Sequence, residues 1–146
     1  MEKRIASLLE LEHEAVSFVE KLEVLPGKAT LVTLSGELGA GKTAFTKAIG
    51  KKFGIIEPVT SPTFVLEKIY LLPENKTGFS KLVHIDAYRL SGAGELRALG
   101  FHESMNEPEA LVLLEWPEQV QGGLPKPAHQ LTFSVNEDGS RTLLYG

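Results

Sequence analysis

Apolar residues recur at steps of three and four along two longer stretches and one short stretch of the chain, the spacing that places them on one face of a helix. Ser7 and Glu10 stand at the start of the first stretch in capping-box spacing, and Pro26-Gly27 follows its end. Gly54 closes the second stretch. These patterns predict an amphipathic helix over about 7–22, a helix over 42–52 and a shorter helix near 94–99.

Short apolar runs rich in β-branched residues predict strands between these helices, at 29–35, 64–70, 81–86 and 110–115. The polar segment 73–80 is expected to be a surface loop. In the tail, strands over 130–135 and 141–145 flank the turn 136–139, which predicts a hairpin. Alternating strands and helices indicate an α/β fold with a mostly parallel central sheet and antiparallel additions at the C-terminal end.

Composition restricts the class of protein further. The 146 residues fit a single domain spanning 1–146. A formal net charge of −4 argues against a stand-alone binder of RNA or DNA, because such binding rests on Lys and Arg neutralising phosphates. The absence of cysteine excludes disulfides and thiolate chemistry. No apolar run approaches the roughly 20 residues of a membrane helix, so we expect a soluble, cytoplasmic protein.

The sharpest chemical signal is GELGAGKT at residues 36–43, which matches the phosphate-binding pattern G-x-x-x-x-G-K-[ST] between a predicted strand and a predicted helix. Its glycines let backbone N–H groups turn inward at the positive end of the helix. Lys42 would reach the β- and γ-phosphates, and the Thr43 hydroxyl would bind Mg²⁺. A glycine-rich turn that binds nothing does not explain Lys-Thr at the helix start. We expect nucleotide contacts from Glu37, Leu38, Gly39, Ala40, Gly41, Lys42 and Thr43.

Two carboxylates end predicted strands, where a nucleoside triphosphatase needs an acid for its metal. Asp86 ends one strand and Glu115 ends another. Both remain candidates, since the carboxyl ends of parallel strands meet at the ligand crevice of an open α/β sheet. The segment Thr60-Ser61-Pro62-Thr63 lies where such proteins sense the γ-phosphate, although Ser-Pro is also ordinary turn chemistry. His84 is expected to pack in a half-buried strand.

Four motifs then occur in one order: SGELGAGKT, TSPTF, HIDAYRL and LLEWPEQ. In this order the chain resembles the bacterial threonylcarbamoyladenosine biosynthesis ATPase family, TsaE, from about Thr30 to Gln119. The resemblance implies a P-loop NTPase-like three-layer sandwich that uses ATP and Mg²⁺. It also implies that the protein works with a heterodimer of TsaB and TsaD type proteins. That complex threonylcarbamoylates the adenosine next to the anticodon of tRNA, so tRNA is an indirect partner.

The resemblance assigns roles position by position. Thr43 and Glu115 correspond to the Mg²⁺ ligands, and Asp86 corresponds to a Walker-B-like acid. Ser61-Pro62-Thr63 corresponds to a switch-like segment. Further nucleotide contacts are implied for Ser61, Trp116, Glu118 and Arg141. The residues expected to act in catalysis are Lys42, Asp86, Glu115 and Thr63, with Thr63 or Glu115 positioning the attacking water.

Two other functions use the same loop. A small-molecule or nucleotide kinase would need several cationic side chains around the transferred phosphoryl group, and the chain has only four arginines. An ATP-gated binding module with little turnover shares every residue of the ATPase interpretation. Hydrolysis of ATP measured with and without partner proteins separates this binding module from the ATPase, whereas the arginine count disfavours the kinase. No arginine is obviously placed to act as a finger, so the ATPase is expected to be slow alone.

Overall fold

The structure of the protein is a computed structural model that describes residues 1–55 and 67–146. Its elements in chain order are β1 (Glu2–Ile5), α1 (Leu8–Glu20), β2 (Thr30–Ser35), α2 (Lys42–Lys52), β3 (Glu67–Leu71), β4 (Lys81–Asp86), α3 (Ala93–Ala98), α4 (Phe101–Met105), β5 (Ala110–Glu115), a short 3-10 helix (Pro117–Val120), β6 (His129–Val135) and β7 (Arg141–Tyr145). Of the predicted strand 64–70, only the part from residue 67 onward lies among the described residues.

The strands form one seven-stranded sheet in the order β1-β7-β6-β2-β5-β4-β3. The four central strands, β6, β2, β5 and β4, are parallel, and β6 and β7 form the predicted antiparallel hairpin. The predicted α/β fold is therefore confirmed. The antiparallel additions are not confined to the C-terminal end, because β3 pairs antiparallel with β4 at the opposite edge.

Period-two alternation along the central strands divides the core between the two faces of the sheet. In β5, Leu111 and Leu113 face the side covered by α1 and α2. Val112 and Leu114 face the side where Leu96 of α3 and Phe101 of α4 pack. Both sets of strand residues are buried, so the sheet is the middle of three layers.

Helix α1 begins as the capping pattern predicts. The Ser7 hydroxyl accepts a hydrogen bond from the Glu10 N–H at 3.2 Å, and the Glu10 carboxylate accepts one from the Ala6 N–H. The helix lies against α2, and Phe18 contacts Phe45 with ring centroids 5.8 Å apart. Across the described residues, no helix is long and apolar enough to cross a bilayer.

Three short elements were not predicted: β1, α4 and the 3-10 helix at Pro117–Val120. Strand β1 has one buried residue, Ile5, and three exposed polar ones, so it carries no alternation signal. It exists because its backbone pairs with β7, from Glu2 opposite Leu144 to Ile5 opposite Arg141. Helix α4 spans five residues and follows α3 after the left-handed Gly100, too short to show a helical period.

Candidate functional site

The loop 36–41 joins the end of β2 to the start of α2, which places it at the carboxyl end of the parallel strands. Gly41 has a φ of 116° directly before α2, and Gly36 has a φ of 141°. A Cβ on Gly36 would lie 2.4 Å from the carbonyl oxygen of Phe133 in β6. Glycine is therefore required at position 36 both by the backbone angle and by the close approach of β6.

Replacing Gly36 with alanine is expected to lower the free energy of unfolding by about 2 kcal/mol, since strained backbone of this kind costs about 1–3 kcal/mol. The melting temperature should fall by about 6 °C. Gly92→Ala is the matched control, because Gly92 is extended and nothing lies within 4 Å of its added Cβ. Equal melting temperatures of the two variants would contradict the requirement at Gly36.

Lys42 begins α2 and folds back over the loop. Its side chain is buried, and Nζ donates to the carbonyl oxygens of Gly36 and of Glu37, the latter at 3.1 Å. Nζ also lies 4.0 Å from the centroid of the Trp116 ring. Burial lowers the pKa of the Lys42 ammonium, while nearby carboxylates, Glu115 foremost, oppose that shift. A cation thus stands in a partly desolvated loop, where an anionic ligand would interact with it strongly.

Glu115, the last residue of β5, is the most enclosed carboxylate of the site, with 2% of its surface exposed. Its Oε1 accepts a hydrogen bond from the Thr43 hydroxyl at 3.4 Å, and its Oε2 lies 2.6 Å from Nε2 of His84. Asp86 ends the adjacent parallel strand in register with Glu115, and its Oδ1 accepts from the Tyr88 N–H at 3.0 Å. Both predicted acids therefore reach the end of the sheet beside the loop.

Two clefts flank the loop. The first has a volume of about 310 Å³. Its wall consists of the glycine-rich loop, the start of α2, the two strand ends and two aromatic rings: Leu38, Gly39, Ala40, Gly41, Lys42, Thr43, Ala44, Asp86, Tyr88, Glu115 and Trp116. The second, of about 320 Å³, lies between the loop, the start of α1 and the hairpin, and it includes Leu11 and Arg141. Gly39 and Gly41 line both clefts, so one extended ligand could contact the two together.

The first cleft brings together most of the predicted site residues. Glu37 has an exposed side chain, although its carbonyl oxygen binds Lys42. Arg141 lines the second cleft, and its Nη2 donates to the Gly39 carbonyl oxygen at 3.1 Å. Glu118 is exposed and lines a separate cleft beyond Trp116, near enough to oppose in part the lowering of the Lys42 pKa by burial. Ser61, Pro62 and Thr63 lie outside the described residues.

The donor set suits a hard cation held jointly with a ligand. Glu115 and Thr43 present oxygens to one point, as Mg²⁺ prefers, and Mg²⁺ usually takes only one or two carboxylates besides phosphate oxygens and waters. Among residues 1–55 and 67–146, no group of three His, Cys, Asp or Glu side chains could hold a metal. One carboxylate and one hydroxyl, which leave the other positions to phosphate oxygens and waters, fit Mg²⁺ carried in with a phosphate ligand.

One contact and one residue of the site were not predicted from the sequence. His84 packs in its strand as expected, but β4 is buried on both faces rather than half-buried, and His84 is bonded to Glu115. A signal was available, because His84 alternates with Asp86 on β4 and so faces the same side of the sheet. Tyr88 was overlooked, and its ring lies 5.0 Å from that of Trp116 at the wall of the first cleft.

Comparisons with known proteins agree on one family. The model of the family described as threonylcarbamoyl adenosine biosynthesis protein TsaE matches residues 9–143. Three proteins named tRNA threonylcarbamoyladenosine biosynthesis protein TsaE are similar to this chain. That of Treponema pallidum is 34% identical over 80% of this chain and 81% of its own length. The Bacillus subtilis relative is 32% identical over 92% of this chain and 78% of its own length. The relative in Streptomyces coelicolor is 45% identical over 60% of this chain and 57% of its own length.

One solved structure extends the likeness to the fold. The crystal structure of YdiB from Bacillus subtilis covers 99% of this chain, with 83% of its own chain aligned. The two share a TM-score of 0.76 and 26% sequence identity. The likeness therefore extends over nearly the whole of this chain.

Proposed function

The chain belongs to the TsaE family of tRNA threonylcarbamoyladenosine biosynthesis proteins, and from this premise we propose that it is a Mg²⁺-dependent ATPase. In this proposal it binds ATP at the two clefts and hydrolyses it to ADP and phosphate. Hydrolysis supports the cycle of a partner heterodimer of TsaB and TsaD type proteins. That complex modifies the adenosine next to the anticodon of tRNA, in the cytoplasm.

The convergence of Lys42, Thr43 and Glu115 on one cleft carries the proposal. Their side chains come from the start of α2 and the end of β5 and line the same cleft, where the Thr43 hydroxyl donates to Glu115. A cation, a hydroxyl and a carboxylate at a helix N-terminus form the donor set used for a nucleoside triphosphate with its metal. A structural turn would have no use for all three.

Each residue has a distinct task in the proposed reaction. Lys42 exchanges the carbonyl oxygens of Gly36 and Glu37 for phosphate oxygens, and the inward N–H groups of the loop bind the same phosphates. Bound through Thr43 and Glu115, Mg²⁺ would neutralise charge on the phosphates. Glu115 or Thr63 would orient the water for in-line attack. Asp86 would orient the waters around the metal.

The composition of the first cleft supports a partner-dependent enzyme. Within the described residues, no arginine lines that cleft, whereas phosphoryl transfer gains about 10³–10⁵-fold from an arginine finger. Arg141 contacts the loop from the second cleft. We expect turnover to be slow alone and the missing charge to come from the partner. The net charge of −4 is consistent with tRNA being held by that partner.

Hydrolysis of ATP by the purified chain, alone and with the TsaB–TsaD type heterodimer, tests the function. We expect phosphate release to be slow alone and to increase at least about tenfold with the heterodimer, because a partner completes the site. Trp116 is the single tryptophan and lines the cleft, so its fluorescence reports nucleotide binding independently of turnover.

The same assay separates the competing functions. If the complex releases no more phosphate than its Lys42→Ala counterpart, the chain is not an ATPase. Tight nucleotide binding in that case, with ATP-dependent co-purification of the heterodimer, would indicate the ATP-gated binding module. Transfer of labelled phosphoryl to a small molecule would instead indicate the kinase.

A further inference from the structure

His84 is a fully enclosed polar side chain behind the candidate site. It lies on β4 with no exposed surface, and its Nε2 is 2.6 Å from Oε2 of Glu115 on the adjacent strand. The two residues are not opposite each other, because His84 pairs with Leu113 and Glu115 pairs with Asp86. The contact is therefore a diagonal one between side chains on the same face of the sheet.

We propose that His84 is a positioning residue for the metal: its Nε2–H fixes the Glu115 carboxylate so that Oε1 is presented to the metal beside Thr43. This inference rests on the proposed Mg²⁺-dependent nucleotide site and adds to it a residue that does not itself touch the nucleotide. It assigns the two oxygens of Glu115 to separate tasks. Oε2 is held by the protein, and Oε1 is left for the ligand.

The hydrogen-bond geometry supports this division. A carboxylate that binds a metal is ionised and only accepts hydrogen bonds, so in the proposed complex Nε2 of His84 donates. The Thr43 hydroxyl reaches Oε1 at 3.4 Å, a longer contact than the 2.6 Å contact at Oε2. The shorter contact is thus made by Oε2, on the His84 side of the carboxylate. The longer contact is made by Oε1, the oxygen that a metal would bind.

A purely structural role explains this histidine poorly. Its neighbours on the same face, Leu82 and Leu113, belong to the apolar core, where a leucine would serve stability better. Its other ring nitrogen, Nδ1, is buried and has no hydrogen-bond partner among the residues that the structure describes. Leaving a buried polar atom unpaired costs free energy. The cost is understandable if the Nε2 contact with Glu115 serves the site.

Groups that orient metal ligands from behind commonly change metal affinity by about 10–100-fold when they are replaced. The matched variants are His84→Gln and His84→Asn. A glutamine places its amide nitrogen the same number of bonds from the backbone as Nε2, and so it can donate to Glu115. An asparagine places its amide nitrogen about where Nδ1 lies in histidine, and its side chain is too short to reach Oε2.

The readout is the affinity of the protein–ADP complex for Mn²⁺, measured from free Mn²⁺ by electron paramagnetic resonance. ADP affinity in EDTA is measured in parallel by the fluorescence of Trp116. We expect His84→Asn to weaken Mn²⁺ binding at least about tenfold and to change ADP binding in EDTA by less than about twofold. His84→Gln should stay within about threefold of the wild type in both measurements.

Two results would overturn the inference while leaving the nucleotide site intact. One is unchanged Mn²⁺ affinity in His84→Asn, and the other is equal weakening in both variants, which would indicate a role of ring size alone. A wild-type protein that binds neither ADP nor Mn²⁺ would instead refute the proposed function.

A measurement on the wild type keeps the test decisive if His84→Asn does not fold. In ¹⁵N-histidine-labelled protein, the Nε2–H resonance of His84 should shift when Mg²⁺ is added to the ADP complex. That proton reports on Glu115 directly. A resonance that does not move on adding Mg²⁺ would contradict the positioning role.

Discussion

Lys42→Ala is expected to abolish nucleotide binding and hydrolysis together. In the proposed complex the ammonium faces the phosphates together with the backbone amides of the loop, and charge-assisted contacts of this kind are worth more than neutral ones. Its partial desolvation, which also lowers the pKa of Lys42, strengthens attraction to an anion. We expect ATP affinity to fall at least about a hundredfold, or about 2.7 kcal/mol, in calorimetric titration.

The fold should survive this substitution. Burial already disfavours the ammonium form, and Nζ is bonded to loop carbonyl oxygens rather than to an element of the core. Lys47→Ala is the matched control, because Lys47 is exposed on the same helix. It should bind ATP like the wild type. Unchanged ATP affinity in Lys42→Ala, with both variants folded, would eliminate the loop as the phosphate site.

Glu115→Ala is expected to reduce hydrolysis far more than nucleotide binding. The carboxylate offers its oxygen to the metal and to the attacking water, whereas Lys42 and the loop retain the phosphates. The turnover rate at saturating ATP should fall at least about a hundredfold, and ADP affinity measured in EDTA should change by less than about threefold. Higher Mg²⁺ concentrations should be needed for the residual activity.

The contacts of Glu115 determine which controls the Glu115→Ala measurement needs. Removing its side chain leaves His84 buried without its partner, so melting temperatures must be compared and Glu115→Gln included as the variant of equal size. Glu109→Ala removes an exposed acid just before the opposite end of β5 and should leave turnover unchanged. Equal losses of binding and hydrolysis in Glu115→Gln would contradict the proposed role.

Much of this architecture could be predicted from local pattern. Helix α2 and strands β4 and β5 have the predicted bounds, because each is a continuous apolar run or a helical repeat closed by glycine or a charged residue. The edge strands were harder to predict. Strand β1 is mostly polar, and nothing in the local sequence indicates that β3 runs antiparallel to β4.

Part of the candidate site, like part of the fold, could be predicted from local sequence. The phosphate loop, with Lys42 and Thr43, was recognisable because the local backbone conformation requires its glycines, and the helix begins directly after them. The two acids at strand ends were recognisable because parallel strands share a carboxyl edge. The placement of Ser61 and Thr63 stays a prediction, since those residues lie outside the described ranges.

By itself, then, the sequence determined the α/β class, the phosphate loop and the candidate acids. Only the tertiary structure decided which side chains meet: His84 with Glu115 across 31 residues, Thr43 with Glu115 across 72, and Arg141 with Gly39 across 102. Periodicity and turn chemistry act over a few residues, so they reveal elements and loops. Contacts between distant residues depend on strand order and register, which arise only when the whole sheet assembles around its two cores.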